Sequence, residues 1–370
     1  MLLSNIPGKS DVKKNLIERV SNNMPATKLL FIDKDGSGSL ALALAYSKYL
    51  SCTEKTESDS CDKCQNCKKY NDLSHPYLHF SYPFIPNKSK YINDSLDLID
   101  TWNNLVLKNP FININNWSCA LEAKNNSLLI PSSECINKIN ILALKPYQSL
   151  YKILIIWHAE YLLKNANILL KLIEDSNTNT IIIATSSSKE NLLPTFASRL
   201  ESLYLKPADK QDLTYYATKL YQNKTADTIE QAISLANGSI SKLTDYLNKQ
   251  DDNLYIEDWL RLCYKGDIPK LIKFVEYINM HNKEFQKYIL YRILDILKEG
   301  IKHKYIIGYQ LSQSKESQFI SNFIKLFDID KLNTTYNIIN EAILDLDKNI
   351  NTKILFLDVS LSLNKILKDN

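Results

Sequence analysis

Residues 152–199 read KILIIWHAEYLLKNANILLKLIEDSNTNTIIIATSSSKENLLPTFASR, and their reading decides the fold. The stretch opens on Ile153-Leu154-Ile155-Ile156-Trp157, an apolar run rich in β-branched residues and too short for a helix. Such a run is a buried parallel strand. His158-Ala159-Glu160 follows. Ala166, Leu169, Leu170 and Ile173 then recur at helical spacing, so one helix face packs on that strand. Thr180-Ile181-Ile182-Ile183-Ala184-Thr185 is the next strand. Pro194 suits a first helical turn, and the short helix it opens runs into Ser198-Arg199-Leu200. Strand, helix, strand and an arginine offered on a loop make half of a nucleotide-binding α/β sheet.

The other half lies upstream. Leu29-Leu30-Phe31-Ile32 is a short buried strand, and Asp33 to Leu40 form the turn after it. Ala41 opens a helix rich in small residues. Strand, glycine turn and helix are the setting of a phosphate loop. A working loop reads GxxxxGK[ST], with a lysine for the β/γ phosphates and a hydroxyl for magnesium. Aligning Gly38 with the second glycine puts Asp33 at the first, Ser39 at the lysine and Leu40 at the hydroxyl position; Gly36 lies between. The cation and the metal ligand are gone, and Asp33 and Asp35 repel a triphosphate. The central strand agrees: Trp157 stands where a hydrolysing enzyme carries an acidic residue for magnesium. Glu160, further on, reads as a solvated or capping carboxylate.

Between these halves, Cys52, Cys61, Cys64 and Cys67 have the spacing C-x8-C-x2-C-x2-C. Four thiolates satisfy tetrahedral zinc and leave no open position for water, so the site is expected to be structural. His75 and His79 follow a filled ligand shell and read as structural or surface residues. Cys119, Cys135 and Cys263 have no metal spacing.

Before the sheet, Asp11 is a candidate cap for a helix with Val12, Leu16, Ile17 and Val20 on its apolar face. Residues 83–127 are Asn-rich and read as an insertion on the sheet, with Leu96, Ile99, Trp102, Leu105 and Val106 in a helix. A further helix over 136–144 leads through Lys145-Pro146-Tyr147 to the central strand. After Leu205 strand character stops. Asp209 and Asp212 open the first of three short helices, and Gly238 ends the second. Gln250-Asp251-Asp252-Asn253 is a polar linker. Helical patterning then runs to the end, and Asn351 is placed to cap the last helix. The expected domains are 1–205, a nucleotide fold with the cysteine module at 52–67; 206–250, an all-α lid; and 251–370, an all-α collar that oligomerises.

The 370 residues exceed one ordinary core. A net charge of +4 argues against a strongly basic nucleic-acid binder. No signal segment or bilayer-length apolar run is present, so a cytoplasmic protein is expected. In that compartment seven cysteines point to metal or free thiols rather than disulfides.

Taken in order, the degenerate phosphate loop, the cysteine module, His75-Pro76, the strand before His158, the helix Asn165 to Glu174 and Ser198-Arg199 resemble the delta-prime subunit family of the bacterial DNA polymerase III clamp loader. The resemblance covers residues 1 to about 247 and is weaker over the C-terminal helices, where Asn349-Ile350-Asn351 looks like the collar pattern. It implies an AAA+ domain, a lid and a collar. It also implies a stator that binds and hydrolyses no ATP itself. Its partners would be motor subunits and a delta (wrench) subunit in a hetero-pentamer, acting on the sliding clamp and primed DNA. Ser198 and Arg199 match the Ser-Arg-Cys motif, which offers an arginine finger in trans to a neighbour's ATP; Leu200 replaces the cysteine. Tyr77 stands where the family carries an acidic residue. Two other readings compete: an active ATPase motor of the same fold, and a zinc knuckle binding nucleic acid directly. Lys63, Lys68, Lys69 and Tyr70 favour the latter; Glu54, Glu57, Asp59 and Asp62 oppose it.

Overall fold

The computed structural model describes residues 1–33, 37–87, 92–121, 123, 127–143, 151–175, 179–222, 224, 226–236, 238–248, 252–279, 283–306, 315–348 and 350–368. Asp35, Gly36, Lys145-Pro146-Tyr147, Gln250-Asp251 and Asn349 lie outside these. The chain divides into two compact units, residues 1–220 with 236–244 and residues 221–235 with 245–370.

The first unit is built on five strands: β1 (Lys28–Ile32), β2 (Leu78–Ser81), β3 (Lys152–Ile156), β4 (Thr180–Ser186) and β5 (Glu201–Tyr204). All neighbours are parallel, in the order β2-β3-β4-β1-β5. The expected strands are the central ones, β3, β4 and β1. They carry continuous apolar runs because helices cover both faces. The edge strands β2 and β5 are not foreseen by the pattern. β5 is only half buried, with Glu201 and Tyr204 exposed, so no apolar run marks it.

The helices of this unit are α1 (Ser10–Ser21), α2 (Ser39–Ser51), α3 (Gln65–Asn71), α4 (Ile99–Lys108), α5 (Ile114–Ala120), α6 (Ser132–Ala143), α7 (Ala166–Asp175), α8 (Pro194–Ala197), α9 (Lys210–Leu220) and the start of a helix at Ile240. Every residue of α2 is buried, which explains its alanines: small side chains let a helix lie close on the sheet. On the opposite face, Leu30, Leu154, Ile156 and Ile182 pack with Cys135 of α6, Ala166, Leu169 and Ile173 of α7 and Phe196 of α8. Asp11 is not the cap of α1. Lys9 holds that position in the left-handed region (φ 62°), and Asp11 sits in the first turn, where its charge suits the helix dipole. Asp209 does cap α9, accepting from the Asp212 amide at 2.7 Å. The 83–127 insertion supplies α4 and α5, whose Trp102 and Trp117 are fully buried.

The second unit contains α10 in part (Ala226–Ala236), the end of α11 (Ile240–Asn248), and α12 (Asp252–Lys265), α13 (Ile268–Asn279), α14 (Lys283–Tyr305), α15 (Lys315–Ile324), α16 (Ile329–Asp347) and α17 (Thr352–Lys368). Trp259 centres its core, stacking on Phe274 and donating from Nε1 to Ser360 Oγ at 2.9 Å. Asn351 caps α17 through the Lys353 amide, 3.0 Å away. Leu355, Phe356, Val359, Leu363 and Leu367 of α17 are buried, while Ile354 and Leu361 stay exposed. Among the described residues, no helix is long and apolar enough to cross a membrane.

Candidate functional site

The thiol cluster sits where α2 runs out. Cys52 follows its last turn, and Cys64 caps α3, its sulfur accepting from the Cys67 amide at 3.5 Å. Amides of Cys61 and Cys64 approach the sulfurs of Cys52 and Cys61, each at 3.3 Å. Asp62 turns the knuckle in the left-handed region (φ 59°). The four sulfurs lie within 4.8 Å of one another, with Cys52–Cys64 at 4.0 Å and Cys61–Cys67 at 3.9 Å. A tetrahedral ion with bonds of about 2.3 Å needs sulfurs about 3.8 Å apart, so the set fits one such ion. Burial raises the Cys64 thiol, but hydrogen bonds from Thr53 and Cys67 outweigh it and hold the thiol at about 6. Burial and the neighbouring Cys64 and Cys52 push Cys67 up. A bound cation would offset that conflict between crowded thiolates. His75 is not in the cluster. It stacks on Tyr70 with ring centres 4.6 Å apart, and burial lowers it to about 4.

Around the knuckle the chain is tied down by polar contacts. Lys48 of α2 is buried and pairs with Asp62 and with Asn71 Oδ1, the latter at 2.7 Å. Asp59 accepts from the amides of Leu3 and Ser4 at 3.1 and 2.9 Å. The cysteine module thus holds the N-terminal segment.

After β1 two residues of the chain, Asp33 and Phe111, meet the start of α2. Asp33 is buried, and its Oδ2 accepts from the Ser39 amide at the start of α2, 3.1 Å away. Ser39 and Leu40 are buried. Gly38 adopts φ 108°, and a methyl group there would come within 3.0 Å of the Phe111 ring. Phe111, itself buried, thus packs on the glycine that a phosphate would have to approach.

At the end of β3, Trp157 packs into the protein interior. It is 2% exposed and meets Trp102 edge-on with ring centres 5.1 Å apart. Trp102 stacks on Tyr82 and meets Trp117, so the indole belongs to an aromatic cluster with residues of α4 and α5. Of the two readings of Glu160, solvated or capping, the solvated one does not hold. His158 Nδ1 lies 2.9 Å from its Oε1, and the same oxygen accepts from Ser187 Oγ at 2.9 Å and the Ser187 amide at 3.2 Å. These bonds tie the loop after β3 to the loop after β4. The partner serine lies 27 residues away, and no local signal marks it.

Arg199 follows α8. Its Nε donates to Glu174 Oε1 at 2.5 Å and its Nη1 to the Thr195 carbonyl at 2.6 Å; Nη2 also pairs with Glu174. Ser198 Oγ donates to the same carbonyl at 3.2 Å. Leu200 is buried in the core beside the sheet, which suits an apolar residue there. Tyr77 is half-buried with its ring 6.0 Å from that of His75.

A family model described as DNA polymerase III, delta subunit, matches residues 8–209, more than half of the chain. DNA polymerase III subunit delta' of Bacillus subtilis (strain 168) is 25% identical over 235 residues. That alignment covers 61% of this chain and 58% of the relative, less than two thirds of its length. Among solved structures, a DNA polymerase III gamma subunit-related protein from Thermotoga maritima is 14% identical, with 96% of this chain and 99% of that chain covered and a TM-score of 0.43. The T. maritima RuvB Holliday junction branch migration motor is 15% identical, with coverage of 82% and 78% and a TM-score of 0.40.

Proposed function

The chain belongs to the DNA polymerase III delta-subunit family, and from that premise we propose that it is the delta-prime stator of a clamp loader. In this reading it is an accessory subunit of AAA+ type that hydrolyses no ATP. It assembles with motor subunits and a delta subunit, and offers Arg199 to the ATP of a neighbour. The complex then loads the sliding clamp onto primed DNA. Residues 206–250 act as the lid and 251–370 as the collar.

The observation that carries this reading is the contact of Asp33 with the head of α2. Asp33 holds the amide at the head of α2, and the loop lacks its lysine. Asp33 takes one of the amides a phosphate would use and sets a carboxylate beside the others. Trp157 supports it from the other side, since an indole in an aromatic cluster binds no magnesium. Arg199 sits on the surface after α8, a third exposed. A guanidinium aimed at a transferring phosphoryl group stabilises its developing charge, worth about 10³–10⁵ in rate in related enzymes. Cys52, Cys61, Cys64 and Cys67 hold a structural zinc ion in this reading, which keeps the knuckle ordered.

The test is reconstitution with motor and delta subunits. Arg199→Ala is expected to leave this chain folded and assembled while slowing ATP turnover by the complex. An unchanged rate removes the finger role. Tight Mg-ATP binding and turnover by the isolated chain would instead favour the motor reading.

A further inference from the structure

We propose that Glu174 is the positioning residue for Arg199, fixing the plane of the guanidinium so that its outer edge faces away from the chain. The inference rests on the arginine-finger reading and deepens it.

Glu174 stands in the last turn of α7 and Arg199 just after α8, so two packed helices present the pair. The carboxylate takes the guanidinium from the side, at Nε and Nη2, and the Thr195 carbonyl takes Nη1. Arginine has five N–H groups in a rigid planar fork. Two donate hydrogen bonds here, from Nε to Glu174 and from Nη1 to Thr195, and Nη2 pairs with the same carboxylate oxygen. Each terminal nitrogen keeps at least one further N–H group, for which there is no other partner among the described residues. A terminal nitrogen pair of this kind can grip two oxygens of a phosphate at once. Both side chains are partly exposed, Arg199 at 33% and Glu174 at 48%. Packing alone therefore does not hold the arginine. Without Glu174 its long side chain samples many rotamers, and few of them aim the fork at a fixed point.

The experiment measures ATP turnover by the reconstituted complex carrying full-length variants of this chain. Glu174→Ala is expected to lower kcat by about 3- to 30-fold with KM for ATP changed less than about twofold, because orientation matters in the transition state. Glu174→Gln keeps an oxygen for the guanidinium and is expected to recover most of the loss. The double variant Glu174→Ala/Arg199→Ala is expected to be no slower than Arg199→Ala alone, since both act through one group. Losses that multiply overturn the proposal, as does an unchanged or raised kcat for Glu174→Ala beside a slow Arg199→Ala. If Arg199→Ala is itself at full speed, the finger reading has failed and this proposal falls with it. Melting temperature and assembly, checked for each variant, separate these effects from misfolding.

Discussion

Asp33 Oδ2 accepts a hydrogen bond from the backbone amide of Ser39 at 3.1 Å, so one amide at the head of α2 is already taken by a carboxyl group of its own chain. Burial pushes the Asp33 carboxyl up. The Ser39 bonds and the charges of His158 and Lys9 offset that only in part. An acid with a raised folded pKa binds its proton more tightly in the folded state. Its contribution to stability is therefore best below the ordinary value of 3.8 and declines as pH rises through the folded value. Asp33→Asn keeps an acceptor for Ser39 and removes the charge. Its stability relative to wild type is expected to rise with pH from about 3 upward and then level off. Urea unfolding across that range checks it, and a pH-independent difference would falsify the account.

Glu160 has the opposite sign. Burial raises it, but the hydrogen bond and charge of His158 and the Ser187 hydroxyl outweigh burial and hold it at about 2. Its stabilisation is present above the ordinary value of 4.5 and is lost as pH falls through about 2. Glu160→Gln is expected to cost up to about 3 kcal/mol near neutral pH, since each tenfold change in proton affinity between the folded and unfolded chain is worth about 1.4 kcal/mol. The cost should shrink as pH falls toward 2. Thermal unfolding of both proteins at several pH values reads this directly.

How much of this is legible in the sequence follows from how each feature is encoded. β3, β4 and β1 announce themselves because both faces are buried, and the four cysteines because metal ligands keep fixed spacing. β2 and β5 are edge strands with mixed sides, so neither carries an apolar run. The gap left by the missing lysine is readable, but its filling is not. Asp33 on Ser39, Phe111 on Gly38 and Trp157 among Trp102 and Tyr82 are contacts between separate segments. Glu160 misleads for the same reason: its partner Ser187 comes from the next strand's loop.

Metal analysis of the purified chain is expected to find one zinc ion, and Cys64→Ser to abolish it. The consequence should reach beyond the knuckle, because Asp59 holds the amides of Leu3 and Ser4. Structural zinc binding is worth about 10–16 kcal/mol in small peptides, so its loss unties a loop this polar. Hydrogen exchange at Leu3 and Ser4 is expected to speed up on chelation, while amides of β3 and β4 keep their protection. A chain without metal, or one whose N-terminal amides ignore the chelator, removes the link.

Trp157→Asp restores the acidic residue at the end of β3 and is expected not to restore catalysis. The side chain at this position is 2% exposed and faces Trp102, so the carboxylate would enter an aromatic cluster. Losing the indole alone costs about 3–5 kcal/mol, and the unpaired charge adds to that. The loop still lacks a lysine, and Asp33 still holds the Ser39 amide. A chain destabilised by several kcal/mol and inert toward ATP is the expected result, read by urea unfolding and a phosphate-release assay. Stable folding with magnesium-dependent ATP turnover would mean that the crevice is open and the indole incidental. Trp157→Phe, which keeps an aromatic ring in the cluster, should cost less than half as much and separates the packing loss from the buried charge.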